Sequence, residues 1–361
     1  MPFLTSLRSL SLRFSLPPKK SLHPLALSPA ASAMELQPPC FLVICGKSSK
    51  EKELARCLKD NHALKLPGVP ELSILLHSES EEPVEEGCFR ISSFFDSLAT
   101  ARLGRLLIWS PRLPSTHDIV SQNFCELPIG AACVADVQFK GRGRLNNVWQ
   151  SPRGCLTFSF TIQMDDGRVV PLVQYVVSLA VTEAIKDVCH KNGIPYLDVR
   201  IKWPNDLYLN GLKVGGILCT STYTSKKFNV SAGIGLNIDN EKPTTCLNEV
   251  LQKLTSVAYR LQKEDVLAAF FNKFEKFFDL LINEGFQPLE KLYYATWLHS
   301  GQRVIVQEKD GEQFVEKPVT IQGLTSSGYL LAVGEDSQLC ELHPDGNSFD
   351  YFKGLVRRKL T

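Results

Sequence analysis

An Asn-Gly pair, Asn210-Gly211, stands between two β-prone runs in VRIKWPNDLYLNGLKVGGILCTSTY, residues 199–223. Both central positions of a tight two-residue hairpin turn need positive φ, which Asn and Gly tolerate best, so this pair commits the chain to an antiparallel hairpin. Upstream, Pro204 has no N–H to give a sheet ladder and stops the preceding strand abruptly. That strand end throws Lys202, Asn205 and Asp206 together at one rim, and the hairpin returns Lys213 towards it. Gly215 and Gly216 follow, where bare backbone can come close to a ligand.

The flanking sequence supplies the rest of a sheet and its cover. LTFSFTIQM, residues 156–164, alternates like a half-buried strand, and Pro171 then opens a long helix whose apolar positions Val173, Val176, Val177, Ala180, Ala184, Ile185 and Val188 keep helical spacing. Asn192-Gly193 ends that helix. KFNVSAGIGLNID, residues 227–239, reads as another strand, and helical patterns return over Lys263–Glu284 and Leu289–His299. After Gly301, short β-prone runs separated by Asp-Gly, Ser-Ser-Gly and Glu-Asp turns predict a small C-terminal β-barrel. Ahead of all this, CFLVIC, GKSSKEKELARCLKDN and LSILL read as the start of a small α/β unit, and acid-rich SESEEPVEEG (78–87) as a solvated loop. The expected division is 1–34, 35–104 (an N-terminal extension), 105–300 (an α+β catalytic domain) and 301–361 (the barrel).

Residues 1–34 hold Arg8, Arg13, Lys19 and Lys20, seven serines and no acidic residue, the composition of an organellar transit peptide. Met34 directly precedes the first acid, Glu35, which suggests a second start: a long form for chloroplast or mitochondrion and a short cytosolic form. The formal net charge of +2 gives no global field for nucleic acid or a membrane surface, so anion binding has to be local. No run of about 18 apolar residues is present to span a bilayer. The eleven cysteines are odd in number and form no CxxC pair, which fits reduced thiols rather than a disulfide framework or a zinc site.

GRGRLNNVWQSPRG, residues 141–154, carries the remaining chemistry. Gly141 and Gly143 let the backbone approach a ligand, while Arg142 and Arg144 supply planar, permanently charged forks suited to carboxylate and phosphate. Trp149 can close over a flat heterocycle such as adenine. Four cations could therefore converge from two segments. Burying that much positive charge is costly unless a polyanion occupies the space.

STHD (115–118), DVQFKGRGRLNNVW (136–149), KWPNDLYLNGLKVGGIL (202–218) and GIGLN (233–237) together resemble the biotin-protein ligases of the eukaryotic single-purpose kind, over about residues 105–357. The resemblance implies a catalytic domain similar to class II aminoacyl-tRNA synthetases, a mixed sheet with helices, followed by the small barrel. It implies a reaction that joins biotin to ATP, giving biotinyl-5′-AMP and pyrophosphate, and then passes biotin to one lysine of an apo-carboxylase carrier domain, as in acetyl-CoA carboxylase. By the same resemblance Ser115, Thr116, His117 and Gln138 line the biotin pocket with Gly141, Gly143, Gly215 and Gly216. Arg142 and Arg144 then serve the carboxylate and phosphates, and Lys213 the reacting carboxylate. Lys202 assists adenylation, and Asn205, Asn237 and Trp149 lie near the nucleotide. Mg²⁺ is expected with ATP, and Asp206 as a possible ligand to it. Asn146 and Asn147 depart from the bacterial pattern, as does His117, for which a neutral pocket hydrogen bond is expected.

Three rivals are weighed against this reading. A lipoate-protein ligase shares fold and logic but is expected to carry an RR…GGG motif instead of GRGR. A nucleic-acid-binding module lacks an accompanying basic stripe. A non-catalytic biotin sensor has no need of both Lys202 and Lys213. Cys155 is expected to pack rather than to act as a nucleophile, since the apolar strand after it offers nothing to lower its pKa.

Overall fold

β-Branched and aromatic runs between glycine turns build one ten-stranded mixed sheet in the computed structural model. It describes residues 40–361 apart from 67–68, 70–71, 81–86, 145–146, 241–242, 311–312, 345–346 and 359–361. The leader 1–34 with Met34, most of the acid-rich loop and Asn146 lie outside the described residues.

The sheet strands are β1 (Phe41–Gly46), β2 (Ser73–Leu76), β3 (Leu106–Leu113), β4 (Ala132–Arg142), β5 (Val148–Ser151), β6 (Cys155–Met164), β7 (Arg200–Lys202), β8 (Asp206–Leu209), β9 (Leu212–Thr224) and β10 (Lys227–Asn237). Their order is β2-β1-β3-β4-β6-β10-β9-β8-β7, with β5 hung on β4. β1 pairs parallel with β2 and antiparallel with β3. The segment read from sequence as an extension therefore continues the main sheet. Its helix, α1 (Ser49–Asp60), opens with a capping box between Ser48 and Glu51.

Alternation divides the side chains of this sheet between two cores. On one face Leu42, Ile44 and Ile108 pack with Ala55 and Leu58 of α1 and with Ile119 and Val120 of α3 (Thr116–Gln122). On the other, Phe158 and Phe160 of β6 meet Phe270 of α6 (Lys263–Glu284) edge-on at 5.0 and 5.6 Å. β6 was expected to be half-buried, yet almost its whole length is buried on both faces. Its second face, Thr157, Ser159 and Thr161, is polar: Thr157 Oγ1 donates to Ala135 O of β4, Thr161 Oγ1 to Pro128 O of a loop, and Ser159 Oγ lies 2.9 Å from Thr116 Oγ1 of α3.

The long helix after Pro171, α4 (Val173–Lys191), has thirteen of nineteen residues buried, so it is a core helix flanked by α6 rather than an amphipathic surface helix. Short helices α2 (Ile91–Ser97), α5 (Leu247–Leu254) and α7 (Gln287–Thr296) complete this layer. α7 stops three residues short of the expected His299, and Trp297–His299 run instead beside β7. Asn210 and Gly211 have φ of 51° and 77°, the turn their sequence predicts.

The barrel expected at the C-terminus is a curled six-stranded sheet of β11 (Arg303–Asp310), β12 (Gln313–Leu324), β13 (Leu330–Gly334), β14 (Leu339–Leu342), β15 (Asn347–Asp350) and β16 (Leu355–Arg358), in the order β14-β13-β12-β11-β16-β15. Both sheets belong to one compact unit, Pro39–Thr361.

Candidate active site

A cavity of about 570 Å³ opens where the ends of β4, β7 and β8, the middle of β9 and β10, and the start of α3 meet. Ser115 caps α3 by accepting the Asp118 N–H, which fixes Thr116 and His117 at the cavity wall. Thr116, His117, Gln138, Arg142, Arg144 and Trp149 line it together with Lys202, Asn205, Asp206, Lys213 and Gly216. The four cations picked out from sequence therefore share one space.

Each cation is held by an oxygen. Arg142 Nε lies 2.6 Å from Asp118 Oδ1. Arg144 Nη1 donates to Asn205 Oδ1 at 3.0 Å and Nη2 to the Pro344 carbonyl at 3.3 Å. Asn205 is itself locked on β9, its Nδ2 donating to Ile217 O and its own carbonyl accepting the Ile217 N–H. Lys213 Nζ is 2.6 Å from Asp206 Oδ1, and Lys202 Nζ is 3.6 Å from Oδ2 of the same carboxylate. Two acids thus contact three of the four cations clustered at one rim and offset two of the four positive charges, which lowers their mutual repulsion without removing their pull on an incoming anion.

The opposite wall is polar and uncharged. Gln138 Oε1 accepts from Thr116 N and Oγ1, and Thr116 Oγ1 lies 2.9 Å from Ser159 Oγ. His117 Nε2 is 2.9 Å from Thr220 Oγ1, and its Nδ1, buried and facing bare Gly233, finds no hydrogen-bond partner among the described residues. Burial lowers the His117 pKa to about 4, the Asp118 charge opposing and the Arg142 charge adding to that shift. The ring is therefore neutral near pH 7, as expected from sequence.

His299 is lowered to about 4 as well, chiefly by burial. An unfolded histidine titrates near 6.5, so between about 6.5 and 4 the unfolded chain binds protons that the native chain refuses. Stability from these two groups is complete above that window and falls as pH drops through it. We expect the denaturant midpoint to decrease from pH 7 to pH 5, where shifted carboxylates such as Glu51, held at about 2, do not yet titrate. Equal midpoints at the two pH values would overturn this.

Three expected site residues serve the framework instead of lining the cavity. A Cβ on Gly141 would sit 2.4 Å from the Trp149 carbonyl, so this glycine permits β4 to pair with β5. A Cβ on Gly215 would lie 2.9 Å from Gly235 O. Asn237 is buried, its Nδ2 donating to Thr244 Oγ1 and Thr245 O, and Thr244 Oγ1 in turn donates to the Lys213 carbonyl. Asn237 acts through that loop on Lys213.

Asp206, expected as a magnesium ligand, has its carboxylate committed to two lysines, and no group of three or more His, Cys, Asp or Glu able to hold a metal exists among the described residues. The donor set does not fit a resident ion. The Cys155 thiol is buried and pushed up to about 12, chiefly by desolvation, so it is inert at neutral pH. No disulfide forms among the described residues.

Sequence reasoning missed Ser159, Gly233, Gly235 and Phe349, all of which line the cavity. Gly233 and Gly235 were legible by period: residues two apart on a strand share a face. A Cβ on Gly235 would fall 2.3 Å from Trp149 Nε1, so the indole lies against a bare glycine shelf formed with its partner Gly216. Phe349, from the second sheet, carried no signal in its own segment.

A cationic rim facing a neutral polar wall defines a cavity suited to activating an acid against a nucleotide, and the chain matches the biotin/lipoate A/B protein ligase family over residues 109–237 and the biotin protein ligase C-terminal domain over residues 299–354. It is 65% identical to the Arabidopsis thaliana biotin–protein ligase 1, chloroplastic, over 94% of each chain. It is 63% identical to the Arabidopsis biotin–protein ligase 2 over 91% of this chain and 100% of that one. Among solved structures, the Aquifex aeolicus biotin protein ligase in complex with biotin and ATP superposes with a TM-score of 0.51 at 26% identity, covering 65% of this chain and 94% of that one. The chain belongs to the biotin–protein ligase family and is a ligase.

Proposed function

We propose that this protein activates biotin with ATP, supplied as its magnesium complex, and transfers the biotinyl group to a lysine of apo-carboxylase carrier domains. The observation that carries this reading is the convergence of Arg142, Arg144, Lys202 and Lys213 on one cavity whose far wall is neutral and polar. In the first step a biotin carboxylate oxygen attacks the α-phosphorus; the new C(O)O–P bond forms as the bond to pyrophosphate breaks, and pyrophosphate leaves with the electron pair. Two anions must be brought together and the in-line transition state gathers charge on phosphoryl oxygens, so fixed cations do most of the catalysis. In the second step the acceptor amine attacks the acyl carbon, the amide C–N bond forms, AMP leaves with the C–O electrons, and the amine gives up its proton.

Thr116, Gln138, Ser159 and His117 Nδ1 are the groups proposed to hold the uncharged head of biotin. Lys213 is assigned to the carboxylate and α-phosphate, Arg142, Arg144 and Lys202 to the phosphates. Trp149, seated against the Gly216–Gly235 shelf, is proposed to offer its indole face to the adenine. On this reading Asp118 and Asp206 are counter-ions that the substrate anions displace.

Arg142→Ala is expected to release the adenylate from the site faster than the unaltered protein, because that guanidinium stands at the cavity mouth, about half exposed, and closes over the phosphate. Equal retention of labelled adenylate on gel filtration would refute it.

The neutral wall and the biotin names of both relatives favour biotin over lipoate. The decisive experiment incubates purified protein with MgATP, labelled biotin or lipoate, and an apo carrier domain. Biotin label on the carrier is expected, and labelling by lipoate, or by neither, would overturn the proposal.

Residues 105–300 are taken as the catalytic body, 301–361 as the second domain and 35–104 as an extension integrated into the first sheet. The chloroplastic name of one relative supports an imported form, with residues 1–34 as its leader. A mitochondrial destination and a cytosolic form from Met34 complete the proposal. No helix among the described residues is long and apolar enough to cross a membrane.

A further inference from the structure

We propose that His299 is a positioning residue for Lys202, and that through it the C-terminal sheet sets the geometry of the adenylation site; this rests on the ligase reading above. Lys202 ends β7, a strand of three residues at the sheet edge. Three residues cannot hold an ammonium in place by ladder bonds alone. The outer edge of β7 is covered by the last turn of α7 and the stretch after it: Arg200 Nη1 donates to Ala295 O at 2.8 Å, Ile201 bridges Trp297 in parallel, and Leu298 N donates to Ile201 O at 2.9 Å. At Trp203 this cover changes character, and the backbone N–H donates to the ring nitrogen His299 Nε2 at 2.9 Å.

That bond fixes the tautomer. Nε2 accepts from a backbone N–H, so it carries no proton, and the ring proton sits on Nδ1, which donates to Gln302 Oε1 at 2.9 Å. Gln302 Nε2 then donates to Tyr351 O at 3.2 Å, and the Gln302 carbonyl accepts the Ile321 N–H. Every link in the relay Tyr351–Gln302–His299–Trp203 has one direction. Each donor points from the peptide unit next to Lys202 towards the Tyr351 carbonyl, between β15 and β16 of the second sheet.

The ring is also fixed by packing. Trp297, Phe349 and Tyr351 surround it, with centroids 5.4, 5.0 and 5.5 Å away. Phe349, on β15, faces both His299 and the Lys202 ammonium, which lies 6.0 Å from its centroid. The same strand thus braces the lysine directly and through the imidazole. His299 itself does not line the cavity, so its effect on the reaction passes through Lys202.

The test compares His299→Phe, which keeps an aromatic ring and removes both ring nitrogens, with His299→Gln, whose side-chain carbonyl can still accept the Trp203 N–H. Biotin-dependent pyrophosphate release by the full chain is measured with saturating MgATP. A displacement of a reacting group by an ångström costs up to about 100-fold, so we expect kcat of His299→Phe to fall about 10-fold or more while KM for biotin, bound at the opposite wall, stays within about twofold. His299→Gln should recover most of the lost kcat. A kcat for His299→Phe close to that of the unaltered protein, or no recovery in His299→Gln, would overturn the proposal. If His299→Phe does not fold, Gln302→Leu breaks the next link without orphaning the Trp203 N–H; a lowered kcat at unchanged KM supports the relay, and an unchanged kcat sinks it. An unaltered protein that releases no pyrophosphate would instead defeat the ligase reading, a distinguishable result.

Discussion

Replacing Lys213 with alanine is expected to slow biotin-dependent pyrophosphate release by about 10² to 10³, the usual consequence of deleting one preorganised donor at a developing charge. Lys213 extends from β9 with its backbone carbonyl held by Thr244 and its ammonium set by Asp206, 5.5 Å from the centroid of the Trp149 ring. At an effective dielectric near 20, a unit charge at 4 Å from an anion is worth about 4 kcal/mol, against about 1 in open water. Substrate that fills the cavity and expels water therefore raises what this lysine contributes, and most in the transition state. The variant has a second defect. Without Lys213, Asp206 keeps, among the described residues, only the Lys202 ion pair at 3.6 Å and presents a carboxylate to the place where a carboxylate and phosphates must bind. Removing that charge as well, in Lys213→Ala/Asp206→Asn, should recover about tenfold, a coupling that a double-mutant cycle reads directly. Pyrophosphate release at the unaltered rate in Lys213→Ala would remove the lysine from the mechanism.

The hairpin at Asn210-Gly211, the strand end at Pro204 and the long helix after Pro171 were legible because each depends on local backbone chemistry: positive φ, a missing N–H, a 3.6-residue apolar period. Local signals also brought the cationic residues to notice, since glycine-arginine alternation and a proline-broken strand are written within a few residues. What local sequence could not reveal was which residues stand opposite. Asp118 beside Arg142, Pro344 against Arg144 and Phe349 over Lys202 are separated in sequence by about 24, 200 and 147 positions and meet only because the sheets fold as they do. That the 40–104 segment continues the main sheet was not legible for a related reason. A buried strand reads the same whether it starts a new domain or continues a sheet, and only the pairing of β1 with β3 decides between the two.

α3 and the end of α7 show the opposite failure, where a signal was present and passed over. Ser115 three residues ahead of Asp118 is an N-terminal capping pattern, so the start of α3 was open to reading. At the other end, helical spacing continues to His299, but the imidazole gains a backbone donor and the chain gains a strand edge by leaving the helix at Thr296. Tertiary hydrogen bonds outweigh the small propensity differences that separate helix from extended chain over three residues. Asn237 fell within a recognised motif, yet its side chain is buried in hydrogen bonds to Thr244 and Thr245 and does not line the cavity. A side chain next to a glycine shelf can as easily brace the loop behind the site as face the ligand, and burial decides which.

Asp136→Ala is expected to destabilise the fold by about 3–5 kcal/mol, a large share of the 5–15 kcal/mol that typically separates native from unfolded chains. Asp136 lies on β4, fully buried, two residues before Gln138. Its Oδ1 accepts from Lys263 Nζ at 2.6 Å and Phe89 N at 2.9 Å, and Oδ2 from Trp109 Nε1 at 3.1 Å. Lys263, itself buried at the start of α6, donates further to Gly87 O. A single carboxylate thus ties a strand of the active site to the 87–89 segment, to β3 and to α6. Truncating it leaves an ammonium, an indole N–H and a backbone N–H facing a cavity too small to hydrate all three, and the stranded charge dominates the loss. The pair itself need not be strongly stabilising, because both ions were desolvated to form it. Replacing both partners by apolar residues of similar volume, Asp136→Leu/Lys263→Met, should therefore recover more than half of what the single change costs, leaving mainly the two orphaned N–H groups. Denaturant midpoints at pH 7 measure both variants. A single variant within about 1 kcal/mol of the unaltered protein would show that water reaches this network after all, and a double variant as unstable as the single would place the cost in the lost N–H acceptors instead of the isolated charge.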